Sequence, residues 1–280
     1  MLTGIAGFIL GALLGRRLAT RGITAVNALE DRQLPALLLV LVLGLAGVVA
    51  YFRHQFPWLP TVPVLYAEAL LIPALRFTVS LSLGLVLWLE WPGRSDPARR
   101  RGLVFGTLFL TVCLGIVVRQ SLPLTNKLGP GALVDGVVIQ TTAFTCAPAS
   151  IATLARFVLG DTTVSERTAV ELTNTTMGGT TTLQEIWAME ALGLAPEFVT
   201  GLTVDSLVQR ARPALLHVNE PVAATTIRHA VALLTVDAAA QTVVVGNPLY
   251  GRQVKRFDEL EGYWLGEAIF VGSRGEPAGG

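Results

Sequence analysis

Cysteine and histidine are scarce in this 280-residue chain, which has two of the first and three of the second. It has neither a CxxC pair nor a Cys/His cluster, which excludes a structural zinc site of the usual spacing. Cys113 lies within the apolar run LVFGTLFLTVCLGIVV, so Cys146 has no disulfide partner in its own part of the chain. Charge is scarce as well, at 15% of residues, with 21 basic against 20 acidic side chains. A net charge of +1 gives no electrostatic footprint for a nucleic acid. The N-terminus carries neither a positive n-region nor a small-residue cleavage site, so a removed signal peptide is not expected. No metal site and no cofactor are expected either.

Apolar residues, by contrast, make up 52% of the chain, and the long runs all precede residue 120. The stretch from 2 to 15 is short for a span, Pro35 to Phe52 is a full transmembrane helix, and 103–118 is the last span. The run from Val62 to Trp91 exceeds one span and contains Glu68, Pro73 and Arg76. Its first half is read as an interfacial or partly buried approach and Phe77 to Trp91 as the deeper part. Glu68 and Arg76 are expected to snorkel to the headgroups at that end. Residues 1–120 are therefore expected to form an all-α membrane domain of three or four helices.

Arg16, Arg17, Arg21 and Arg32 occupy one connecting loop and Arg94, Arg99, Arg100 and Arg101 another, whereas the loop at 53–61 has only Arg53. By the positive-inside rule the two Arg-rich loops face the cytoplasm and everything after Val118 lies outside. That orientation holds if 62–91 crosses an odd number of times.

From Ser121 to Gly136 the composition turns to Pro, Gly and polar residues, which reads as a linker. Residues 137–272 then have the pattern of a soluble α+β domain, and 273–280 that of a disordered tail. A short strand at 137–140 precedes a helix from Cys146 that Gly160 ends. Ser165 caps a second helix, and Thr182-Leu183-Gln184-Glu185 reads as the capping box of a third. Val204–Arg210 is a brief helix. The strands expected are Ala195–Val199, Ala214–Val218, His229–Asp237, Gln241–Asn247 and one within Gly262–Val271, with a three-residue Ala turn joining the third and fourth.

Cys146 opens its helix, where the partial positive charge of the N-terminus favours thiolate, the nucleophilic form. A buried, unreactive thiol is the other reading of that position. A Cys nucleophile needs a His base, and that His needs a third group to hold its ring. His229 starts a strand after a polar stretch, at a sheet end where a cleft can lie, whereas His217 sits inside PALLHVN and fits a hydrogen bond in the sheet. Pairing of the next strand brings Asn247 beside His229, although Asn-Pro is also an ordinary turn pair.

The pattern Gln140-x5-Cys146-Ala-Pro-Ala-Ser, followed by HAVAL from His229 and GNPLYG from Asn247, resembles the papain-like cysteine peptidases that process bacteriocin leader peptides at double-glycine sites. The likeness covers about residues 135–272. It implies a papain-like domain with Cys146 as nucleophile, His229 as general base and acid, Asn247 orienting the His, and Gln140 in the oxyanion hole. The family has Asp where Asn247 stands and Gly where Ala147 follows the Cys. No Walker motif follows, and the domain is expected outside the cytoplasm. The substrate expected is therefore a secreted or membrane-associated polypeptide, with the lipid bilayer as the other partner and any membrane partner protein unidentified. A catalytically inactive, peptidase-like peptide-binding module of a membrane assembly is the alternative, and a small transporter or channel a third class.

Overall fold

The computed structural model describes residues 2–24 and 61–272, which fall into two compact units, the first holding 2–24 and 66–122 and the second 61–65 and 123–272. The expected span Pro35–Phe52 and the tail at 273–280 lie outside the described residues.

In the first unit, α1 (Leu2–Ala19), α2 (Thr61–Glu90) and α3 (Pro97–Gln120) are each long and apolar enough to cross a membrane. Small residues let α1 approach α2 closely. Gly7, Gly11 and Gly15 form one buried stripe on α1. A Cβ added to Gly11 would overlap the Leu81 carbonyl oxygen, and one added to Gly84 on α2 would overlap that of Phe8.

The 62–91 stretch, read as an approach followed by a deeper part, is not divided in the backbone. α2 is one continuous helix through Pro73, about 45 Å long at 1.5 Å per residue. A helix-breaking Pro is tolerated when the surrounding apolar residues still favour helix and neighbours satisfy the freed groups. Arg76 is not simply snorkelling: it donates to Ser121 Oγ at the end of α3, and that hydroxyl in turn donates to the Val117 carbonyl at 2.7 Å. The second Arg-rich loop is also shorter than expected. After a 3-10 turn at Trp91–Gly93, α3 begins at Pro97, so Arg99, Arg100 and Arg101 stand in its first turns. Arg99 Nε donates to the buried Glu90 carboxylate at 2.8 Å, which ties the helix start to the end of α2.

The second unit takes in most of the stretch read as a linker, 121–136. Leu124 is fully buried, and its backbone N–H donates to the Thr175 carbonyl. β1 (Ala132–Val134) pairs antiparallel with β2 (Val137–Ile139). Then come α4 (Cys146–Leu159), α5 (Glu166–Thr173), α6 (Thr182–Ala191), β3 (Glu197–Val199) and α7 (Val204–Arg210). β4 (Ala214–Val222), β5 (Thr225–Asp237), β6 (Thr242–Asn247), β7 (Gly251–Arg256), a short α8 (Phe257–Leu260) and β8 (Trp264–Phe270) complete it. Six strands form one antiparallel sheet in the order β3-β8-β4-β5-β6-β7. This is an α+β domain, with helices concentrated first and the sheet later.

Strand alternation divides the core between the two sheet faces. One cluster joins Leu215, Ala230, Ala232 and Leu234 to Ile151 and Leu154 of α4; the other contains Leu216, Val218, Val231, Leu233, Val245 and Trp264. Every residue of α4 from Ala147 to Ala155 is buried, so this helix is the centre of the domain. Gly246 allows that closeness: a Cβ there would sit 3.1 Å from Val137 and 3.2 Å from Thr153. Gly160 ends α4 in the left-handed region, as its position suggested.

Three local expectations change. The capping box of α6 is Thr181 with Gln184, because Glu185 is buried and bound elsewhere. β5 starts at Thr225, four residues before His229; the polar, exposed residues 225–228 hide that extension from an apolar pattern. β7 and α8 were not anticipated, since GRQVKR is an exposed, charged edge strand with little alternation of apolar residues.

Candidate active site

Two short connections set the nucleophile candidate in place. Gln140 follows β2 and its backbone N–H donates to the Pro248 carbonyl at 3.0 Å, which ties it to the residue after Asn247. The loop at 141–145 is closed by Thr145 Oγ1 donating to the Thr142 carbonyl at 3.2 Å. Cys146 is then the first residue of α4, where backbone N–H groups have no intrahelical acceptor.

Burial pushes the Cys146 thiol up to about 11, and the negative charge of Glu185 acts in the same direction. Backbone groups of Ala230, Ala147 and Cys146 itself oppose that rise. Burial thus acts against the thiolate that the helix N-terminus favours, and Cys146 holds its proton at neutral pH.

His229 and Asn247 are joined directly. The imidazole Nε2 donates to Asn247 Oδ1 at 3.1 Å, and the Leu249 N–H donates to the same oxygen at 3.0 Å. Asn247 is fully buried. Its amide nitrogen donates to Glu220 at 2.9 Å, and Tyr263 O–H donates to that carboxylate at 2.7 Å. With Nε2 so engaged, Nδ1 is the nitrogen left to accept a proton. Burial lowers the His229 pKa from its ordinary value, while Asn247 and the charge of Glu220 work against that. Cys146 meets the backbone of Ala230, the residue after His229; among the described residues no hydrogen bond joins Cys146 to His229.

Gln140 donates through Nε2 to the Thr142 carbonyl at 2.7 Å, whereas its Oε1 is buried without a partner. An amide nitrogen carries two hydrogens, so one donor remains.

His217 occupies a different setting. Nε2 meets Glu185 at 3.0 Å and Nδ1 meets Glu267 at 2.9 Å. Burial alone would lower its pKa, but the two carboxylates prevail and raise it to about 10. A protonated imidazole with both nitrogens occupied cannot take a proton from a thiol, which separates His217 from His229 as a base. Among the described residues no group of His, Cys, Asp and Glu is arranged to hold a metal ion.

Sequence reasoning missed Glu220, Tyr263, Glu185 and Glu267. A signal existed for two of them: Glu220 shares the inward face of β4 with Leu216 and Val218, and Glu267 interrupts the apolar strand WLGEAIF. A charge at such a position is buried and therefore partnered.

No family model matches the chain, and no curated protein matches it significantly. Among solved structures it is similar to the peptidase domain of Streptococcus ComA, a bi-functional ABC transporter involved in a quorum sensing pathway, at 21% identity and a TM-score of 0.42. That likeness covers 49% of this chain and 97% of the ComA domain. A double glycine motif protease from an AMS/PCAT transporter, solved with its leader peptide, gives 16% identity and a TM-score of 0.42, covering 52% of this chain and 94% of that one. The peptidase domain of Streptococcus mutans ComA gives 22% and 0.37, covering 49% and 98%. The chain has three apolar helices followed by an α+β domain that resembles these peptidase domains.

Proposed function

We propose that the chain is a membrane-anchored cysteine peptidase that cleaves a peptide bond in a secreted or membrane-associated polypeptide, with residues 1–120 as anchor and 137–272 as the papain-like peptidase domain. The observation that carries this reading is the oriented imidazole of His229: Nε2 is held by a buried Asn247, Nδ1 is open, and the adjoining Ala230 backbone meets Cys146.

In the reaction His229 Nδ1 takes the Cys146 proton as sulfur attacks the substrate carbonyl. The S–H bond breaks, an S–C bond forms, and the carbonyl oxygen becomes an oxyanion. Gln140 Nε2 and the Cys146 N–H are the donors to that oxygen. The imidazolium returns its proton to the leaving amine as the C–N bond breaks. Water, deprotonated by the same His, then hydrolyses the thioester and restores the thiol. Catalytic hydrogen bonds are often long before substrate binds, so the missing Cys146–His229 bond is compatible with this sequence of steps.

Full-length protein in lipid nanodiscs, assayed against a mixed peptide library by mass spectrometry, tests the reading. Cleavage that depends on Cys146 is expected. Peptide binding without any cleavage would instead favour a peptide-binding module. Gln140→Ala is expected to lower kcat by about 10²–10³-fold, the usual cost of one oxyanion donor, with a smaller change in KM. An unchanged kcat would remove Gln140 from the site.

The extracytoplasmic placement rests on the Arg-rich segments and on α2 being one continuous helix, which makes a single crossing of that stretch. Intact cells treated with a membrane-impermeant maleimide are expected to become labelled at Cys146 on prolonged exposure at pH 8–9, as read by peptide mapping. Labelling only after lysis would reverse the topology.

A further inference from the structure

The carboxylate behind Asn247 is unusual in its isolation. Glu220 is 3% exposed, and its hydrogen-bond donors are the Asn247 amide and the Tyr263 hydroxyl. Among the described residues it makes no ion pair. A buried charge without a counter-ion costs several kcal/mol, so its retention calls for a cation that forms nearby. One such cation is the His229 imidazolium, two hydrogen bonds away through Asn247.

The other titratable groups beside this network are Cys146 on α4, Tyr250 between β6 and β7, and Tyr263, over whose ring Lys255 Nζ lies at 4.2 Å. Among the described residues Lys255 forms no ion pair with Glu220. Burial and the neighbouring Glu220 carboxylate push the Tyr263 hydroxyl well above its ordinary range, so it stays a proton donor.

We propose that Glu220 is a positioning residue of the site: by accepting from the Asn247 amide it helps fix which way that amide faces, and its charge stabilises the His229 imidazolium through Asn247. The proposal rests on His229 being the base of the peptidase reading. It has a direct structural logic. An Asn side chain has a donor end and an acceptor end, and a carboxylate on one side forces the donor toward itself. The Leu249 N–H on the Oδ1 side and Gln253 Oε1, 3.4 Å from the amide nitrogen, favour the same orientation, so Oδ1 is committed to His229 Nε2–H and Nδ1 is left as the basic nitrogen. An uncharged amide that orients a His supplies no charge of its own; here the charge stands one residue further back.

The test separates charge from hydrogen bonding. Glu220→Gln keeps an acceptor for Asn247 and Tyr263 but removes the charge. The double variant Asn247→Asp/Glu220→Gln keeps one carboxylate and moves it into contact with the imidazole. The readout is the titration midpoint of His229, followed by NMR of 13C-histidine-labelled full-length protein in nanodiscs and assigned with a His229→Gln control.

Glu220→Gln is expected to lower the midpoint by about one pH unit or more, the size of shift a nearby charge produces. The double variant is expected to titrate at or above the wild-type midpoint. An unshifted midpoint in Glu220→Gln, or a double variant below wild type, overturns the proposal; the second comparison holds even if the single variant does not fold. The titration needs no substrate. A chain that cleaves nothing yet shows these shifts would sink the peptidase reading alone, and cleavage without the shifts would sink the role of Glu220 alone.

Discussion

Cys146→Ala is expected to abolish peptide cleavage, with a fall in kcat of at least about 10³-fold, while the domain keeps its fold. The nucleophile, base and orienting group act as a unit, so His229→Ala is expected to cost about as much, and the double variant little more than either. The fold should survive because a Cys-to-Ala change removes one small, half-buried atom from the first turn of α4. Peptide-library cleavage and circular dichroism on the same nanodisc samples check the two halves of the statement. Wild-type rates in either single variant would end the peptidase reading.

The resting state gives that prediction a second side. Cys146 is pushed up to about 11 by burial, and His229 is held below its ordinary value by the same cause. The pair therefore rests as neutral thiol and neutral imidazole, and proton transfer accompanies attack. A neutral imidazole is needed on the base, so the acid limb of kcat/KM is expected below the usual imidazole range.

Breaking the buried His217 bridge is expected to have the largest effect on stability. His217 holds Glu185 of α6 and Glu267 of β8 at once, and both carboxylates are about 4% exposed. His217→Leu leaves two buried carboxylates side by side without their cation. Removing one partner of such a buried pair costs about 3–5 kcal/mol. The pH dependence follows from the raised pKa. His217 binds its proton more tightly folded, near 10, than at the ordinary value of 6.5. Its contribution is fully present below about pH 6.5 and is lost as pH rises through about 10. Urea midpoints of the domain, followed by tryptophan fluorescence, should fall across that window in wild type and change much less in His217→Leu. A flat wild-type profile would show that the bridge is not protonated.

Glu185 also links this bridge to the site, since its charge acts on the Cys146 thiol. Loss of His217 would leave that carboxylate uncompensated beside the sulfur, so the stability effect and the thiol's proton affinity are coupled.

Much of this protein was legible in one dimension. Apolar run length picked out 103–118, within α3, as long enough to cross a membrane, because a hydrocarbon core demands about 20 apolar residues whatever the tertiary arrangement, whereas the run at 2–15 looked short and α1 extends it to Leu2–Ala19. Local chemistry also sufficed for Ser165 at the start of α5, Gly160 after α4 and the brief helix Val204–Arg210, each governed by neighbours within a few residues. The His229–Asn247 pairing followed from hairpin geometry alone, since a short turn brings opposite ends of adjacent strands together.

The rest depended on contacts between distant residues. Nothing near Cys146 in the sequence reports that α4 is buried along the nine residues that follow it, or that burial raises the proton affinity of its thiol. Glu220 meets Asn247 across 27 residues and Tyr263 across 43, and His217 meets Glu267 across 50. Such partners are chosen by sheet order and by the cost of an unpaired buried charge, which residue type and spacing along the chain do not encode. The sequence alone thus determined which residues are candidates for the chemistry and which runs are apolar enough to cross a membrane. Only the tertiary structure decided which histidine has a nitrogen to spare, because that depends on which carboxylates the fold packs against each ring.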